Sequence, residues 1–345
     1  MVVMIDLRSD TVTKPTDKMR EAARSAVVGD DVFGEDPAVT DLEARAAEVV
    51  GMEAALFVPT GTMGNQVAAL THTEPGQEVI VERRSHIYGA ELGGLATNAG
   101  LQVRPLDGGD RGIFTPEGLG DAYIDEDLHR AGTGLVCLEN THNFAGGTAI
   151  PPSAIDAVAG TARDLGVPVH LDGARLFNAA TALDVPARQL ARNIDSVMFC
   201  LSKGLGAPVG SILAGSANFI AAARRNRKRF GGGMRQAGVI AAPGRVALDS
   251  RAHLATDHEN ARVLAEGIGA LDGLTVRPPE TNIVLVETGE LGVTADGFLA
   301  ACEAAGVGGV PFGEHTVRFC THRDVDRDAI EAAIDGVAAA VGEVA

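Results

Sequence analysis

The sequence is poor in aromatic residues and in lysine. It has no tryptophan and only two tyrosines among 345 residues. Lysine supplies four of the 29 basic residues, and arginine supplies the other 25. Any reaction that requires a lysine amine is therefore limited to four positions, which are Lys14, Lys18, Lys203 and Lys228.

Cysteines and long apolar runs are also scarce. The four cysteines lie far apart without the spacing of metal ligands, which predicts buried, reduced thiols at Cys137, Cys200, Cys302 and Cys320. No run approaches the roughly 20 apolar residues of a membrane span. Residues 1–8 are too short and too charged to resemble a secretory signal. These features predict a soluble protein of the cytoplasm.

Basic residues are outnumbered by acidic ones, 29 to 46, which gives a net charge of −17. Such a charge opposes any sequence-independent binding to nucleic acid or to an anionic membrane. With 46% hydrophobic residues, a chain of this length buries a large core and exceeds one small domain. We expect one large domain and one smaller domain that pack closely together.

Apolar segments of strand length alternate with alanine-rich helical segments between residues 54 and 216. This alternation is typical of a parallel sheet covered by helices on both faces. It predicts an α/β domain with a mostly parallel seven-stranded sheet and with helices at Thr62–Thr71 and Ala154–Leu165. The predicted strands are Ala54–Pro59, Glu78–Glu82, Gln102–Leu106, Leu135–Glu139, Pro168–Leu171, Val197–Leu201 and Gly210–Ala214.

The two ends of the chain follow other patterns. The first forty residues resemble an arm or a lead-in helix, so residues 1–240 are predicted to hold this arm and the large domain. A long helix is predicted from Gln236 to Leu271. Residues 241–345 are predicted to hold most of this connecting helix and a small α+β domain, with segments at Thr275–Val276, Asn282–Val286, Ala295–Ala305 and Val317–Cys320 and a last helix from Asp326.

Lys203 stands where a buried strand is predicted to end. The apolar run Val197–Leu201 precedes it, and a glycine-rich segment follows. Ligands bind beyond the carboxyl ends of parallel strands, so the amine is expected in a partly desolvated site. Burial there lowers the pKa of an amine and makes it a nucleophile towards aldehydes. A lysine that reaches solvent from a strand end is the alternative.

Asp172 ends a neighbouring apolar strand, and Arg175 follows three residues later. A carboxylate at such a point can keep the pyridine nitrogen of pyridoxal phosphate (PLP) protonated, and a guanidinium can bind a substrate carboxylate through two hydrogen bonds. The alternative role of Asp172 is to cap the following helix. Asp172 and Lys203 at neighbouring strand ends match what a PLP site requires.

Thr60, Gly61 and Thr62 open a helix directly after a strand. Backbone N–H groups at a helix start bind phosphate without a Walker lysine. A tight turn without any ligand explains the same segment almost as well, and no GxGxxG or GxxxxGK motif accompanies it. The segment therefore indicates a phosphate site only through its position beside the other strand ends.

Two histidines are candidates for the same site. His86 follows a short strand, and its ring can lie on the face of PLP, although a surface or core histidine is the alternative. His142 follows Glu139 and Asn140 at the end of another parallel strand. This position makes His142 the stronger candidate for a proton carrier.

Five segments resemble the motifs of L-type low-specificity threonine aldolases. They are residues 7–15 (LRSDTVTKP), 29–37 (GDDVFGEDP), 170–175 (HLDGAR), 201–210 (LSKGLGAPVG) and 231–236 (GGGMRQ). The resemblance runs from end to end of the chain. It implies the PLP-dependent fold type I of the aspartate-aminotransferase group, with a large α/β domain and a small C-terminal domain.

The resemblance also implies roles for the site residues. Lys203 would carry PLP as a Schiff base, Asp172 would pair with the ring nitrogen and His86 would stack on the ring. The remaining cofactor-binding residues would be Thr60, Gly61, Thr62, Arg175, Ser202 and Arg235. The substrate-binding residues would be Ser9, His142, Arg175 and Arg318. Arg235 matches an arginine that reaches the cofactor phosphate across a subunit interface, which implies a homodimer or homotetramer with shared active sites.

The implied reaction is retro-aldol cleavage of L-threonine, L-allo-threonine or a similar β-hydroxy-α-amino acid to glycine and an aldehyde. His142 or His86 would take the β-hydroxyl proton, directly or through a water. A β-eliminating lyase of the same fold group is the main alternative, with Lys203 itself as the base. An aminotransferase and a catalytically silent PLP-binding protein are further alternatives. The sequence has no cluster of metal ligands, so no metal site is predicted.

Overall fold

The computed structural model describes residues 4–344, so residues 1–3 and 345 of the predicted domains lie outside it. Elements are numbered along the chain. The N-terminal arm contains β1 (Ile5–Asp6) and α1 (Asp17–Arg24), and it leads into α2 (Pro37–Val50). The carboxylate of Asp36 accepts hydrogen bonds from the N–H groups of Ala38 and Val39, which starts α2 beside a proline at its first turn.

A seven-stranded sheet forms the centre of the larger part of the molecule. Its strands are β2 (Ala54–Val58), β3 (Glu78–Glu82), β4 (Gln102–Leu106), β5 (Thr133–Glu139), β6 (Val169–Asp172), β7 (Ser196–Cys200) and β8 (Ser211–Gly215). They lie in the order β2-β8-β7-β6-β5-β3-β4. β8 runs antiparallel to the other six strands, which are parallel to one another. The seven predicted strands and the mostly parallel sheet are confirmed.

Helices cover both faces of this sheet because the buried strand residues alternate between two cores. Phe57 and Phe199 pack in one core with residues of α2, whereas Leu56, Val58 and Met198 pack in another. The helices are α3 (Gly61–His72), α4 (His86–Gly89), α5 (Gly94–Thr97), α6 (Pro116–Ala122), α7 (Pro152–Asp164), α8 (Leu176–Ala182), α9 (Ala187–Leu190) and α10 (Ala217–Arg229). The predicted helices at 62–71 and 154–165 are α3 and α7.

The C-terminal part has its own sheet and core. Its elements are α11 (Gly238–Asp249), α12 (Leu254–Gly269), β9 (Thr275–Val276), β10 (Ile283–Glu287), α13 (Ala295–Ala304), β11 (Val307–Gly308), β12 (Val310–Pro311), β13 (Thr316–Cys320) and α14 (Arg327–Val344). An antiparallel sheet has the order β12-β13-β10-β9, while β11 pairs in parallel with β1. The predicted α+β arrangement is therefore present.

The single long helix predicted from Gln236 to Leu271 is wrong, because the chain breaks between α11 and α12. Ser250 leaves the helical conformation, and the turn after it places the guanidinium of Arg251 over the ring of Phe177 at 4.7 Å. In the same turn, Nε2 of His253 hydrogen-bonds the carbonyl oxygen of Gly204 at 2.7 Å. The break thus ties this connection to the segment that follows Lys203.

The division at residue 240 stays a prediction, and packing bears on it at two points. Leu7 of the arm packs in the C-terminal core, and Leu248 of α11 packs in the core of the large sheet.

Within residues 4–344, none of the helices has both the length and the apolar character needed to cross a membrane.

Candidate active site

A cleft opens beyond the carboxyl ends of β5, β6 and β7. It consists of two cavities of about 360 and about 220 Å³. Both cavities are lined by Thr11, His86, Asp172, Ala174 and Lys203. His86, Asp172 and Lys203, which follow separate strands in the sequence, therefore meet at one place, as expected for an open parallel sheet.

Lys203 lies in the turn that follows β7. Its backbone carbonyl accepts hydrogen bonds from Oγ1 of Thr13 at 2.9 Å and from the N–H of Gly206 at 2.8 Å. These bonds fix the turn from two sides and hold the side chain at the cleft. All four lysines fall within residues 4–344, and Lys203 alone among them lines either cavity.

Asp172 is the last residue of β6, beside β7, and its side chain is buried at the floor of the cleft. Its Oδ1 accepts a hydrogen bond from the N–H of Ala174 at 3.0 Å, and its Oδ2 accepts one from Nδ2 of Asn65 at 2.8 Å. Each carboxylate oxygen thus keeps a free lone pair for a donor that enters the cleft.

The start of α3 forms one wall of the larger cavity. Oγ1 of Thr60 caps the helix by accepting a hydrogen bond from the N–H of Met63 at 3.1 Å. A Cβ placed on Gly61 would lie 2.9 Å from Sγ of Cys200, so only glycine lets the chain approach β7 this closely. The wall consists of Thr60, Gly61, Thr62 and Ser202. N–H groups at the first turn of a helix can bind an anion.

Two guanidinium groups meet in the smaller cavity. Nη1 of Arg175 and Nη1 of Arg318 both donate to Oδ1 of Asn143, at 3.3 and 3.1 Å. The amide oxygen therefore occupies the point at which a carboxylate would bind both groups. Ser9, at the N-cap of the short turn Asp10–Val12, lines the same cavity.

Asp10 holds Arg175 in place from behind. Nε and Nη2 of Arg175 donate to the two oxygens of Asp10 at 2.8 and 2.7 Å. Burial opposes the charged forms of both side chains, but their attraction to each other is stronger. As a result, Arg175 lowers the pKa of Asp10, and Asp10 raises the pKa of Arg175. Burial and the neighbouring charge of Arg175 lower the pKa of Arg318. An anion in this cavity would relieve that repulsion.

His86 lines both cavities and is held by two carboxylates. Its backbone N–H donates to Oε2 of Glu139 at 2.6 Å, and its Nδ1 hydrogen-bonds Oε1 of Glu91 at 3.1 Å. The hydrogen bond to Glu91 is the main reason that the pKa of His86 is raised. Because Nδ1 is engaged with Glu91, Nε2 is the nitrogen left for the cleft.

His142 does not reach the cleft, which corrects the expectation that it takes the proton of the substrate. It is fully buried and lines neither cavity. Its Nε2 hydrogen-bonds Glu82 at 2.9 Å, and its Nδ1 accepts from the N–H of Ala145 at 3.1 Å. Both ring nitrogens therefore have protein partners, and His142 has a structural role.

Arg235 also lies outside the two cavities. Its Nη1 pairs with Oδ2 of Asp30 at 2.9 Å, and its side chain is 58% exposed. The lining of the larger cavity includes no arginine within the described residues. A role for Arg235 at the cofactor of the same chain is therefore not supported by the geometry.

The sequence reasoning missed several residues that shape the cleft. Glu139 ends β5 and pairs in register with Asp172 on β6, so the strand-end criterion that found Asp172 also points to Glu139. The strand-end pattern favours His142 over its neighbour Asn143. Asp10, Asn65 and Glu91 act through tertiary contacts, and no pattern along the chain marks them.

His86, Glu91 and Asp172 bring one ligand atom each within 4.8 Å of one another, the kind of group that can hold a metal ion. Here Nδ2 of Asn65 donates to Glu91 and to Asp172, both at 2.8 Å. An amide donor thus already lies between the two carboxylates and occupies one lone pair of each.

Comparison with known proteins identifies the family. The chain matches the model described as beta-eliminating lyase over residues 6–290. It is 42% identical to the low specificity L-threonine aldolase of Escherichia coli strain K12 over 328 residues, which covers 95% of this chain and 96% of the relative. This chain belongs to the low-specificity L-threonine aldolase family. Low-specificity L-threonine aldolase 1 of Arabidopsis thaliana is 45% identical, with coverage of 82% and 81%.

The threonine aldolase family is also found among solved structures with this fold. The threonine aldolase of Leishmania major aligns with a TM-score of 0.83 over 99% of both chains at 19% identity. At that identity the likeness concerns the fold alone. It confirms the predicted fold class, a large α/β domain of fold type I with a smaller C-terminal domain.

Proposed function

We propose that this chain is a PLP-dependent lyase that cleaves L-threonine, L-allo-threonine and similar β-hydroxy-α-amino acids to glycine and an aldehyde. The observation that supports this most strongly is the meeting of Lys203, Asp172 and the Arg175–Arg318 pair in one cleft. A lysine amine, a buried carboxylate and a carboxylate-binding corner are the three protein groups that PLP chemistry on an amino acid needs.

The residues present fit PLP. Lys203 would hold the cofactor covalently through its amine, Asp172 would pair with the ring nitrogen, and the start of α3 with Ser202 would bind the phosphate. Bound PLP supplies an electron sink that stabilises negative charge at the α-carbon of an amino acid. Asp172 would accept a hydrogen bond from the ring nitrogen, and N–H groups at the start of α3 would donate to the phosphate.

The carboxylate of the substrate would bind between Arg175 and Arg318 in place of the oxygen of Asn143. Ser9 lies in the same cavity and would donate to the carboxylate as well. Binding between two guanidiniums fixes the orientation of the amino acid. By fixing this orientation, the two guanidinium groups would select which bond at the α-carbon is broken.

His86 would lie on the cofactor ring and, directly or through a water, take the proton of the β-hydroxyl group. It is the histidine that lines both cavities. Glu91 orients it through Nδ1 and raises its pKa, which strengthens the imidazole as a base. We therefore assign to His86 the proton transfer that the sequence had favoured for His142.

We also propose that two copies of the chain share their active sites, in a homodimer or a tetramer of dimers. The phosphate end of the cleft has no guanidinium among its described lining residues, and Arg235 is an exposed arginine. The partner's Arg235 would reach the phosphate across the interface. Light scattering of the purified protein tests the assembly, and a monomer that is fully active would contradict it.

β-Elimination is the second candidate, favoured by the description of the family model. The two reactions give different products from L-threonine. Cleavage of the Cα–Cβ bond gives glycine and acetaldehyde, whereas loss of the α-proton and of hydroxide, followed by hydrolysis of the resulting imine by water, gives 2-oxobutyrate and ammonia. The Escherichia coli relative that aligns with 95% of this chain is named an aldolase, which supports cleavage.

Product analysis decides between the two reactions. The purified protein is incubated with L-threonine and with L-allo-threonine, and parallel assays with alcohol dehydrogenase and lactate dehydrogenase detect acetaldehyde and the oxo acid. We expect glycine and acetaldehyde in equal amounts. The oxo acid as main product would overturn the aldolase function and leave the PLP site intact.

A further inference from the structure

A chain of hydrogen bonds leads from the floor of the cleft to the end of α3. Nδ2 of Asn65 donates to Oδ2 of Asp172 at 2.8 Å, and Oδ1 of Asn65 lies 3.1 Å from Nε2 of His170. Nδ1 of His170 lies 2.9 Å from Oγ of Ser196, which lies 2.8 Å from Nε2 of His72. Asn65, His170 and Ser196 are fully buried, so water does not compete for these bonds.

The direction of every bond in this chain is determined by its inner end. Nδ2 of Asn65 faces oxygens of both Asp172 and Glu91. These oxygens accept hydrogen bonds, so the nitrogen of the amide must face them and its oxygen must face His170. Nε2 of His170 therefore carries a proton.

The outer bonds follow from this tautomer. Burial lowers the pKa of His170 to about 3 and the pKa of His72 to about 4, so both rings are neutral at ordinary pH. A neutral His170 with a proton on Nε2 accepts at Nδ1, and Ser196 must donate to it. Ser196 in turn accepts from Nε2 of His72. All donors thus point towards Asp172.

We propose that Asn65 and His170 are positioning residues that hold Asp172 against the ring nitrogen of the cofactor. The inference rests on the role proposed above for Asp172. If Nε2 of His170 did not donate, the amide of Asn65 would be free to turn, and its oxygen would then face two carboxylates. Outer partners of this kind set the orientation of a group that binds a cofactor, although they do not touch the cofactor themselves.

Variants of its residues and of a neighbouring amide test this chain. Asn65→Leu and His170→Leu remove the donors. His170→Gln keeps an N–H near the position of Nε2 and serves as the conservative rescue. Gln66→Leu is the matched control, because Gln66 is a buried amide on the same helix that donates to Glu91 and not to Asp172. Each holoenzyme is reconstituted with PLP labelled with nitrogen-15 in the ring, and its nitrogen NMR shift reports whether the ring nitrogen is protonated.

We expect the two leucine variants to move this shift towards that of a neutral pyridine and to lower threonine cleavage by about tenfold or more. His170→Gln and Gln66→Leu are expected to keep the shift of the unchanged protein. Ser196→Ala removes a single oxygen from the chain, and it is expected to fold and to show a smaller shift in the same direction.

Asp172→Asn separates the two proposals. If Asp172→Asn changes the shift while every folded variant of Asn65, His170 and Ser196 keeps it, Asp172 has the proposed role and the positioning chain is overturned. If Asp172→Asn itself leaves the ring nitrogen protonated, the role of Asp172 fails, and the positioning inference fails with it.

Discussion

Arg175 and Arg318 carry two like charges into the same buried corner of the cleft. Arg175 is neutralised by Asp10, whereas the hydrogen-bond acceptors of Arg318 within residues 4–344 are neutral, the side chain of Asn143 and the backbone of Arg8. In the same part of the chain, its buried Nε has no hydrogen-bond partner. A substrate carboxylate would therefore be attracted chiefly by the charge of Arg318. Arg175 would fix the position at which the carboxylate binds.

Replacing Arg318 by alanine should weaken substrate binding and leave the cofactor site intact. Loss of one partner of a buried charged hydrogen bond typically costs about 2–5 kcal/mol, so KM for threonine should rise at least about tenfold. The visible absorbance of bound PLP should stay unchanged. Steady-state kinetics measure the first effect, and Arg262→Ala, at an exposed ion pair, is the control. An unchanged KM in Arg318→Ala would show that the carboxylate binds elsewhere.

His142 should act on stability through Glu82 and not on proton transfer. Burial opposes its charged form, and so does the hydrogen bond that Nδ1 accepts from Ala145, but the carboxylates of Glu139 and Glu82 raise its pKa. A raised pKa contributes stability that is complete below about pH 6.5 and is lost as the pH rises through the pKa of the folded state. Glu82 has a lowered pKa, so its share is lost only at acidic pH.

The pH dependence of unfolding tests this role. The free energy of unfolding is measured in denaturant at about pH 6 and about pH 9 for the unchanged protein and for His142→Gln. We expect the difference between the two proteins to be larger at the lower pH. His129→Gln, at an exposed position, should show no such dependence. A difference that grows with pH would contradict the ion pair.

The outcome for His142 shows what a pattern along the chain reveals about single residues. Lys203, Asp172 and Arg175 were found because each follows an apolar strand, and strand ends meet at one edge of the sheet. His142 satisfies the same criterion, yet its side chain turns away from the cleft towards Glu82. The direction in which a side chain points after a strand depends on its tertiary contacts. The sequence alone does not reveal these contacts.

At the scale of secondary structure, the close approach of α3 to β7 sets the phosphate end of the cleft. Gly61→Ala should push the start of α3 away from Cys200 and Met198, since the added Cβ would lie 2.9 and 3.2 Å from their side chains. Overpacking of this kind typically costs about 1–3 kcal/mol. We expect weaker binding of PLP, measured by fluorescence titration of the apoprotein.

Gly160→Ala in α7 is the matched control, because an added Cβ there meets nothing within 4 Å. It should stabilise α7 by about 0.5–1 kcal/mol and leave PLP affinity unchanged. Equal affinities in the Gly61 and Gly160 variants would contradict the assignment of the start of α3 to the phosphate.

The break between α11 and α12 shows why element boundaries were less predictable than strands. The helical pattern continues through residues 250–253, and no proline or glycine marks the break. The contact of Arg251 with Phe177 and the bond of His253 to Gly204 favour the turn. Both are contacts with distant parts of the chain, so local propensity could not reveal them.

At the scale of the whole molecule, the cleft is assembled from three parts of the chain. The large sheet and the turn after β7 supply Asp172 and Lys203, the arm supplies Ser9 and Thr11, and β13 of the C-terminal sheet supplies Arg318. The arm is fastened to the C-terminal part by the pairing of β1 with β11. A substrate carboxylate bound between Arg175 and Arg318 would therefore join both parts of the molecule across the cleft.

The most direct test of the proposed site is to locate the bound cofactor. The holoenzyme is reduced with borohydride, digested and mapped by mass spectrometry, which reports the lysine that carries the cofactor. We expect the added mass on Lys203, and we expect Lys203→Ala to lose the visible absorbance that Lys228→Ala keeps. Cofactor on Lys14, Lys18 or Lys228 would contradict the site at the ends of β6 and β7.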